Sequence, residues 1–407
     1  MFLLPLLLFA VATGAADVTL LTPLGDVAET SLAISGDRVV LATMAHTAPA
    51  PVEIFVSRDR GISWVKAPDR ELLIGGKTYA YAGDPTLVTL DDGSFGLAYL
   101  ANSATVESEN GEMVLVYERS ADGVTWTPPL VIDVGPTNRF LLGVDKPTIS
   151  IDRITNTLYL AWTRNAPGSS QSVIASSADR GAHWSTPLAV SNSNHENSVQ
   201  AVVTASGTLV VTSFNATIET YLSRFSNDRG ATFSAPQSIG SEASTYHVAP
   251  SNAYVSPVQT TVAFRDDVYL AFPTRKGVFF TRSRDGGQMW SDPLRLGGAS
   301  GYAIMPSIAV DENSGDVMVS WLDSRDDASG ATYRLYAAQS SDGGASFDAP
   351  LAFSPPFAIG TPLGDYDGSV AIQKGVAVTT FAAAGGHLNV VRLAFTPPPP
   401  RRRAVVR

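Results

Sequence analysis

SRDGGQMW (283–290) and SSDGGASF (340–347) carry one pattern, Ser-x-Asp-x-Gly-x-x-aromatic, 57 residues apart. Four further segments share it: SRDRGISW (57–64), SADGVTW (120–126, one residue short), SADRGAHW (177–184) and SNDRGATF (226–233). Their aspartates are Asp59, Asp122, Asp179, Asp228, Asp285 and Asp342, spaced by 63, 57, 49, 57 and 57 residues. Self-similarity at such a period is the signature of a repeat architecture. Each residue type has a local reason. Ser and Asp side chains bond nearby backbone N–H groups and tighten a turn. Gly supplies a positive φ, and the aromatic ring plugs the space between layers. The six aspartates are therefore read as structural.

The flanks of each turn alternate like strands. Short runs such as VEIFVS and RLYAAQS precede it, and strands with an early proline, such as WSTPLAV and WSDPLRL, follow it. Two further strands joined by a polar turn lie upstream, as in PTLVTLDDGSFGLAYL. Each unit thus has four antiparallel strands, A to D, with the Ser/Asp turn between C and D, and no helical period competes. Four strands repeated radially make an all-β fold, the β-propeller. Six turns suggest six blades, but residues 354–395 hold three more strands, GSVAIQ, VAVTTFA and LNVVRLAF. The segment DVTLLTPL (17–24) resembles the lone D strands. The economical expectation is seven blades, the last closed by this N-terminal strand, which removes an exposed edge.

The two ends differ from this pattern. Residues 1–16, MFLLPLLLFAVATGAA, read as a secretory signal peptide without a basic start. Residues 397–407, PPPPRRRAVVR, read as a Pro/Arg-rich disordered tail. Residues 17–396 remain for the propeller. A secreted chain, extracellular or periplasmic, is expected, with no membrane span after removal of the leader. The 407 residues contain no cysteine, which excludes disulfides and thiolate chemistry. Net charge is −10, and the four arginines among the last seven residues leave the rest of the chain at −14. That balance argues against nucleic acid as the partner.

In this topology the C–D turns share one face, and the D–A and B–C loops share the other, around the channel mouth. Aligning the A strands places Glu29, Asp84, Lys146, Glu196, Ser256, Met305 and Asp367 at that mouth. Asp145, His195, Asp365, Tyr366 and the segment Trp321-Leu322-Asp323-Ser324-Arg325 lie nearby in sequence. Glu29, Asp84, Asp145, His195, Trp321, Asp323, Asp365 and Asp367 are the ligand-binding candidates. Convergent carboxylates with aromatics suit a sugar or a cationic ligand, and they also suit Ca²⁺, although no cofactor is required. The competing reading has these side chains capping loops by bonding backbone N–H groups.

The repeated turn resembles the Asp box, or BNR repeat, of the sialidase-like superfamily of β-propellers, over nearly the whole chain from residue 17. The resemblance implies a fold more than a function. Sialidases clamp a substrate carboxylate with three arginines and use an aspartate acid/base and a Tyr–Glu nucleophile pair. HENSVQAVVTASGTL is similar to the stretch carrying the glutamate, which implies that role for Glu196. GDYDGSVAI resembles the tyrosine stretch, which implies Tyr366, and Arg325 could stand in for one clamp arginine. The first and second clamp arginines and the acid/base aspartate have no match, and Arg139, Arg164 and Arg275 fall outside any motif. An acidic mouth would also repel a sialic acid. The favoured expectation is a secreted propeller that binds a glycan or another surface ligand. Alternatives are an exo-sialidase or related glycoside hydrolase using Glu196, Tyr366 and Arg325, and a protein-binding scaffold.

Overall fold

The computed structural model describes residues 16–21, 27–45, 52–79, 81–103, 110–138, 143–191, 195–241, 246–248, 250–359, 368–384 and 387–394. Every regular element among them is a strand, and seven four-stranded antiparallel sheets form the blades of a propeller. The inner strands run Val27–Ser35, Tyr81–Thr89, Gly143–Ile151, Glu196–Val203, Thr260–Phe264, Ala303–Val310 and Val370–Gln373. In the seventh blade the outermost strand is Ala16–Leu21, paired antiparallel with His387–Ala394 in a register that sets Val18 opposite Val391. The expected closure by the N-terminal strand is what the chain does.

The six repeated turns are built as their residue types demand. Ser226 Oγ donates to Asp228 Oδ1 at 2.7 Å and accepts the Gly230 N–H at 2.8 Å. Asp228 in turn accepts the Thr232 N–H at 2.8 Å and the Thr232 hydroxyl at 2.6 Å. The residue before the box glycine is left-handed, with φ of 58–60° at Arg60, Arg180 and Arg229. The glycine itself is needed for close approach as well as for φ. A Cβ on Gly181 would come within 2.0 Å of Tyr117, and one on Gly344 within 2.5 Å of Phe280. These two boxes, like those of Gly61, Gly123 and Gly287, thus seat on the blade before them.

The outer strands are shorter than the sequence pattern suggests. Those of the first, third, fifth and sixth blades have two residues each, Val65–Lys66, Leu188–Ala189, Leu294–Arg295 and Leu351–Ala352. The prolines beside them cannot donate to the ladder, which limits pairing at an edge. The cores lie between blades. Trp162, for example, packs with Leu100, Leu115 and Tyr117 of the preceding blade.

Side chains on the inner strands stitch neighbouring blades together. Ser369 Oγ accepts the Leu32 N–H at 3.1 Å, Ser31 Oγ the Leu87 N–H at 2.9 Å, and Thr86 Oγ1 the Ile149 N–H at 3.2 Å. Further round, Thr148 Oγ1 donates to Val199 O at 3.0 Å and Gln200 Oε1 accepts the Thr261 N–H at 2.7 Å. These polar side chains line a narrow axial cavity of about 120 Å³.

Candidate functional site

At the mouth the inner strands share one device. A β-bulge interrupts the register between Ala28 and Thr30, Gly83 and Thr86, Asp145 and Thr148, Asn197 and Gln200, and Ile304 and Ser307. The bulged residue is left-handed: Glu29 (φ 54°), Asp84 (51°), Lys146 (49°), Ser198 (51°) and Met305 (54°). Non-glycine residues rarely adopt that conformation, and it re-aims each side chain. In the fourth blade the position belongs to Ser198, two residues past Glu196. In the fifth, Ser256 precedes the inner strand and Val258 lines the axial cavity. The missing proline in ENSVQ and the irregular start of the fifth blade hid this alignment.

Glu29, Asp84 and Asp145 come together along the first three blades. Glu29 Oε2 accepts the Asp84 N–H at 3.0 Å, and Asp84 Oδ2 accepts the Lys146 N–H at 3.1 Å. Lys146 Nζ lies 3.2 Å from Asp145 Oδ2, which also accepts from Asn165 at 3.0 Å. Burial, reinforced by the charges of Glu29 and Asp145, holds the Asp84 carboxyl well above the ordinary carboxylate range, with Lys146 opposing.

Glu196 is placed elsewhere. Its carboxylate forms a two-pronged pair with Arg224, at 2.6 and 2.7 Å, and accepts the Ser213 hydroxyl at 3.0 Å. Both charged side chains are buried beside a cleft of about 790 Å³ that also takes in residues of the third blade. Sequence reasoning missed Arg224, because no motif surrounds it. His195 is exposed and bridges to Ser170.

Trp321, Asp323 and Arg325 form one bracket in the sixth blade. Asp323 is fully buried and accepts Trp321 Nε1 at 2.9 Å and Arg325 Nη2 at 2.5 Å. The Arg325 guanidinium also stands 4.3 Å from the Tyr336 ring centroid. A similar bracket spans the second and third blades, with Asp133 on the outer strand of the second accepting Trp162 Nε1 and Arg164 Nε at 2.7 Å each. Asp365, Tyr366 and Asp367 lie outside the described residues. Among the described residues no group of three or more His, Asp or Glu side chains could hold a metal ion, and no helix is long and apolar enough to cross a membrane.

Two small hairpins among the described residues are additions that the repeat does not predict, and Leu73–Ile74 paired with Lys77–Thr78, between the first and second blades, is one of them. Between the fourth and fifth blades, Tyr246–Val248 pairs with Ala253–Val255 as a small hairpin. Val248 and Val255 are fully buried, in a cluster with Ile304, Met305 and Tyr333 of the sixth blade and Phe381 of the seventh. Beside it opens a cavity of about 410 Å³ lined by Tyr246, His247, Arg275 and Tyr302.

The BNR repeat-like domain family matches residues 35–219, and the described boxes extend the same turn to residue 347. This chain is a seven-bladed β-propeller that carries a BNR repeat-like domain. No curated protein matches it. Among solved structures, a Dyadobacter fermentans protein of unknown function is similar at 15% identity and TM-score 0.54, covering 91% of this chain and 95% of its own. The α-L-arabinofuranosidase of Fusarium graminearum aligns at 13% identity and TM-score 0.55, over 77% of this chain and 93% of its own. The α-L-arabinanase of Penicillium chrysogenum aligns at 14% and 0.52, over 73% and 89%. At these identities the likeness is one of fold.

Proposed function

We propose that this BNR-repeat propeller is secreted, with residues 1–16 removed, and that its mouth face binds a carbohydrate without hydrolysing it. The observation that carries the reading is the pairing of Glu196 with Arg224 and Ser213. A carboxylate with both oxygens engaged by a buried guanidinium is not free to attack a substrate. The ligand class draws support from the neighbours of like fold, which include an α-L-arabinofuranosidase and an α-L-arabinanase complexed with arabinobiose. The acidic residues Glu29, Asp84 and Asp145 offer acceptors to sugar hydroxyls, as polar groups in carbohydrate sites do. A glycan array probed with residues 17–396 tests this. Retention of a defined set of oligosaccharides is the expected result, and an array with no retained glycan overturns it.

A glycoside hydrolase is the second reading, and one observation favours it. Glu29 and Asp84 are adjacent carboxyl groups, and burial together with the Glu29 charge raises the proton affinity of Asp84, an asymmetry of the kind an acid–base pair uses. Fluorogenic sialosides and arabinosides assayed from pH 4 to 8 separate the two. Turnover abolished in Asp84→Asn supports the hydrolase, and turnover abolished in Tyr366→Phe supports the sialidase form of it.

A further inference from the structure

The face that carries the boxes has its own opening on the axis. A funnel of about 640 Å³ lies there, at the far ends of the inner strands from the mouth. Each of the seven blades contributes an aliphatic side chain to its wall, from Ile34 in the first to Ile372 in the seventh. Ile151, Val203 and Val310 are only half-buried in it. The A–B turns ring the opening, and their charge is lopsided. Asp37, Asp91, Asp92, Asp266 and Glu312 are exposed there, against the exposed cations Arg153, Arg265 and Lys374 and the half-buried Arg38. Arg180 of the third box already holds Asp91 at 2.6 Å.

One ion pair shows what this rim attracts. Arg153 Nε, from the third blade, meets Glu312 Oε1, from the sixth, at 2.9 Å, and Arg153 Nη1 donates to Thr89 O of the second at 2.8 Å. The bonds between inner strands join neighbouring blades, whereas this pair crosses the channel. Its two side chains are 45% and 58% exposed, and ion pairs so open to water hold weakly and exchange partners. The funnel thus offers an aliphatic wall under an acidic rim that accepts guanidinium groups.

The chain contains a segment of the complementary kind. PPPPRRRAVVR (397–407) holds its one run of three consecutive basic residues, Arg401 to Arg403, followed by Ala404, Val405 and Val406. The segment lies outside the described residues, but the strand that leads to it does not. His387–Ala394 pairs Ala394 with Val376, just past the turn of Gln373, and Gln373 lines the funnel. The chain therefore leaves the seventh blade on the funnel's face. Two strand spacings of about 4.8 Å separate this third strand from the inner one, and four prolines span about 12 Å as polyproline II. That reach brings the arginines to the rim. We infer that the axial funnel is the docking seat of residues 397–407 of the same chain, with Arg401, Arg402 and Arg403 on the carboxylates of the A–B turns and Val405 and Val406 on the aliphatic wall. The seat is independent of the carbohydrate reading of the mouth. It closes the axis on the box face, so that ligand enters by the mouth alone.

Distances between spin labels in the chain of residues 17–407 test it, since the absence of native cysteine leaves only introduced ones to label. Ala404→Cys is combined with Ile154→Cys, in the exposed A–B turn of the third blade, and separately with Ile218→Cys, in the exposed B–C loop of the fourth on the mouth face. A short, narrow distribution to position 154 and a longer one to position 218 are expected from electron–electron double resonance. Arg401→Gln/Arg402→Gln/Arg403→Gln should broaden the first, as should 1 M salt, where the Debye length falls to about 3 Å. Broad distributions to both positions overturn the seat. So does a narrow distribution to position 154 that the triple variant leaves unchanged. A short distance that disappears on mixing with excess unlabelled chain puts the segment on a second copy and overturns the assignment to its own.

Discussion

Glu29 Oε2 accepts the backbone N–H of Asp84 at 3.0 Å, so a side chain of the first blade fixes the bulge of the second. Asp84 then does the same for Lys146 of the third blade at 3.1 Å. The mouth carboxyls are thus part of the joinery between blades, whatever ligand they meet. Asp84→Asn keeps an acceptor for the Lys146 N–H and removes the ionisation. The folded carboxyl titrates above its unfolded value, so the stability it contributes is full in acid and declines as pH rises through the folded value. Asp84→Asn should therefore melt higher than the parent at pH 8 and converge with it near pH 4. Thermal melts across that range check the sign; a variant that is less stable at pH 8 contradicts it.

Glu196 and Arg224 give a sharper test of role. Replacing only Glu196 by Gln leaves a buried guanidinium without its counter-charge, a loss of about 3–5 kcal/mol for such pairs. Replacing both with apolar residues of like volume should recover most of that. Chemical denaturation of Glu196→Gln and of Glu196→Leu/Arg224→Met measures the two. A Glu196→Gln variant as stable as the parent would show that the pair is not the structural element described.

The boxes predict acid sensitivity. Hydrogen bonds from the His183 side chain first hold Asp179 down to about 2, and those from the Thr232 hydroxyl hold Asp228 down to about 2. Depressed carboxyls contribute stability above the unfolded value of 3.8 that is lost as pH falls through the folded one. Unfolding should set in below pH 4, and Asp228→Asn should flatten that acid limb. An acid limb identical in parent and variant argues against the boxes as its source.

Gly181 packs against Tyr117 with φ 84°, and a Cβ would sit 2.0 Å from its ring. Gly181→Ala should cost about 1–3 kcal/mol by overpacking, with added backbone strain. Gly168, with φ 71° and no atom within 4 Å of the added Cβ, is the control that carries strain alone. Equal losses in the two variants would remove the inter-blade seat from the account.

Ring closure depends on Ala16–Leu21. A chain that begins at Thr22 leaves His387–Ala394 as an unpaired edge, which invites association through that strand. Light scattering should show concentration-dependent growth for this truncation and none for residues 17–396.

What the amino-acid pattern disclosed follows from locality. The Ser, Asp, Gly and aromatic of each box act within eight residues, so six turns, their strands and the blade count were legible. The strand at 17–24 could be placed because it matched the other D strands. Relationships between strands, within a blade or across blades, were less accessible. The Glu196–Arg224 pair joins residues 28 apart with no shared motif. Ser198 takes the bulge without the proline that marks Asp84, Lys146 and Met305. The Tyr246 hairpin is an insertion, and only tertiary packing shows that it reaches the sixth and seventh blades.

Saturation-transfer NMR on the oligosaccharides retained by the array, followed for a day at pH 6, reads binding and cleavage together. Saturation transfer to the bound sugar with unchanged anomeric signals is expected. New reducing-end anomeric signals, or no transfer to any sugar, would contradict it.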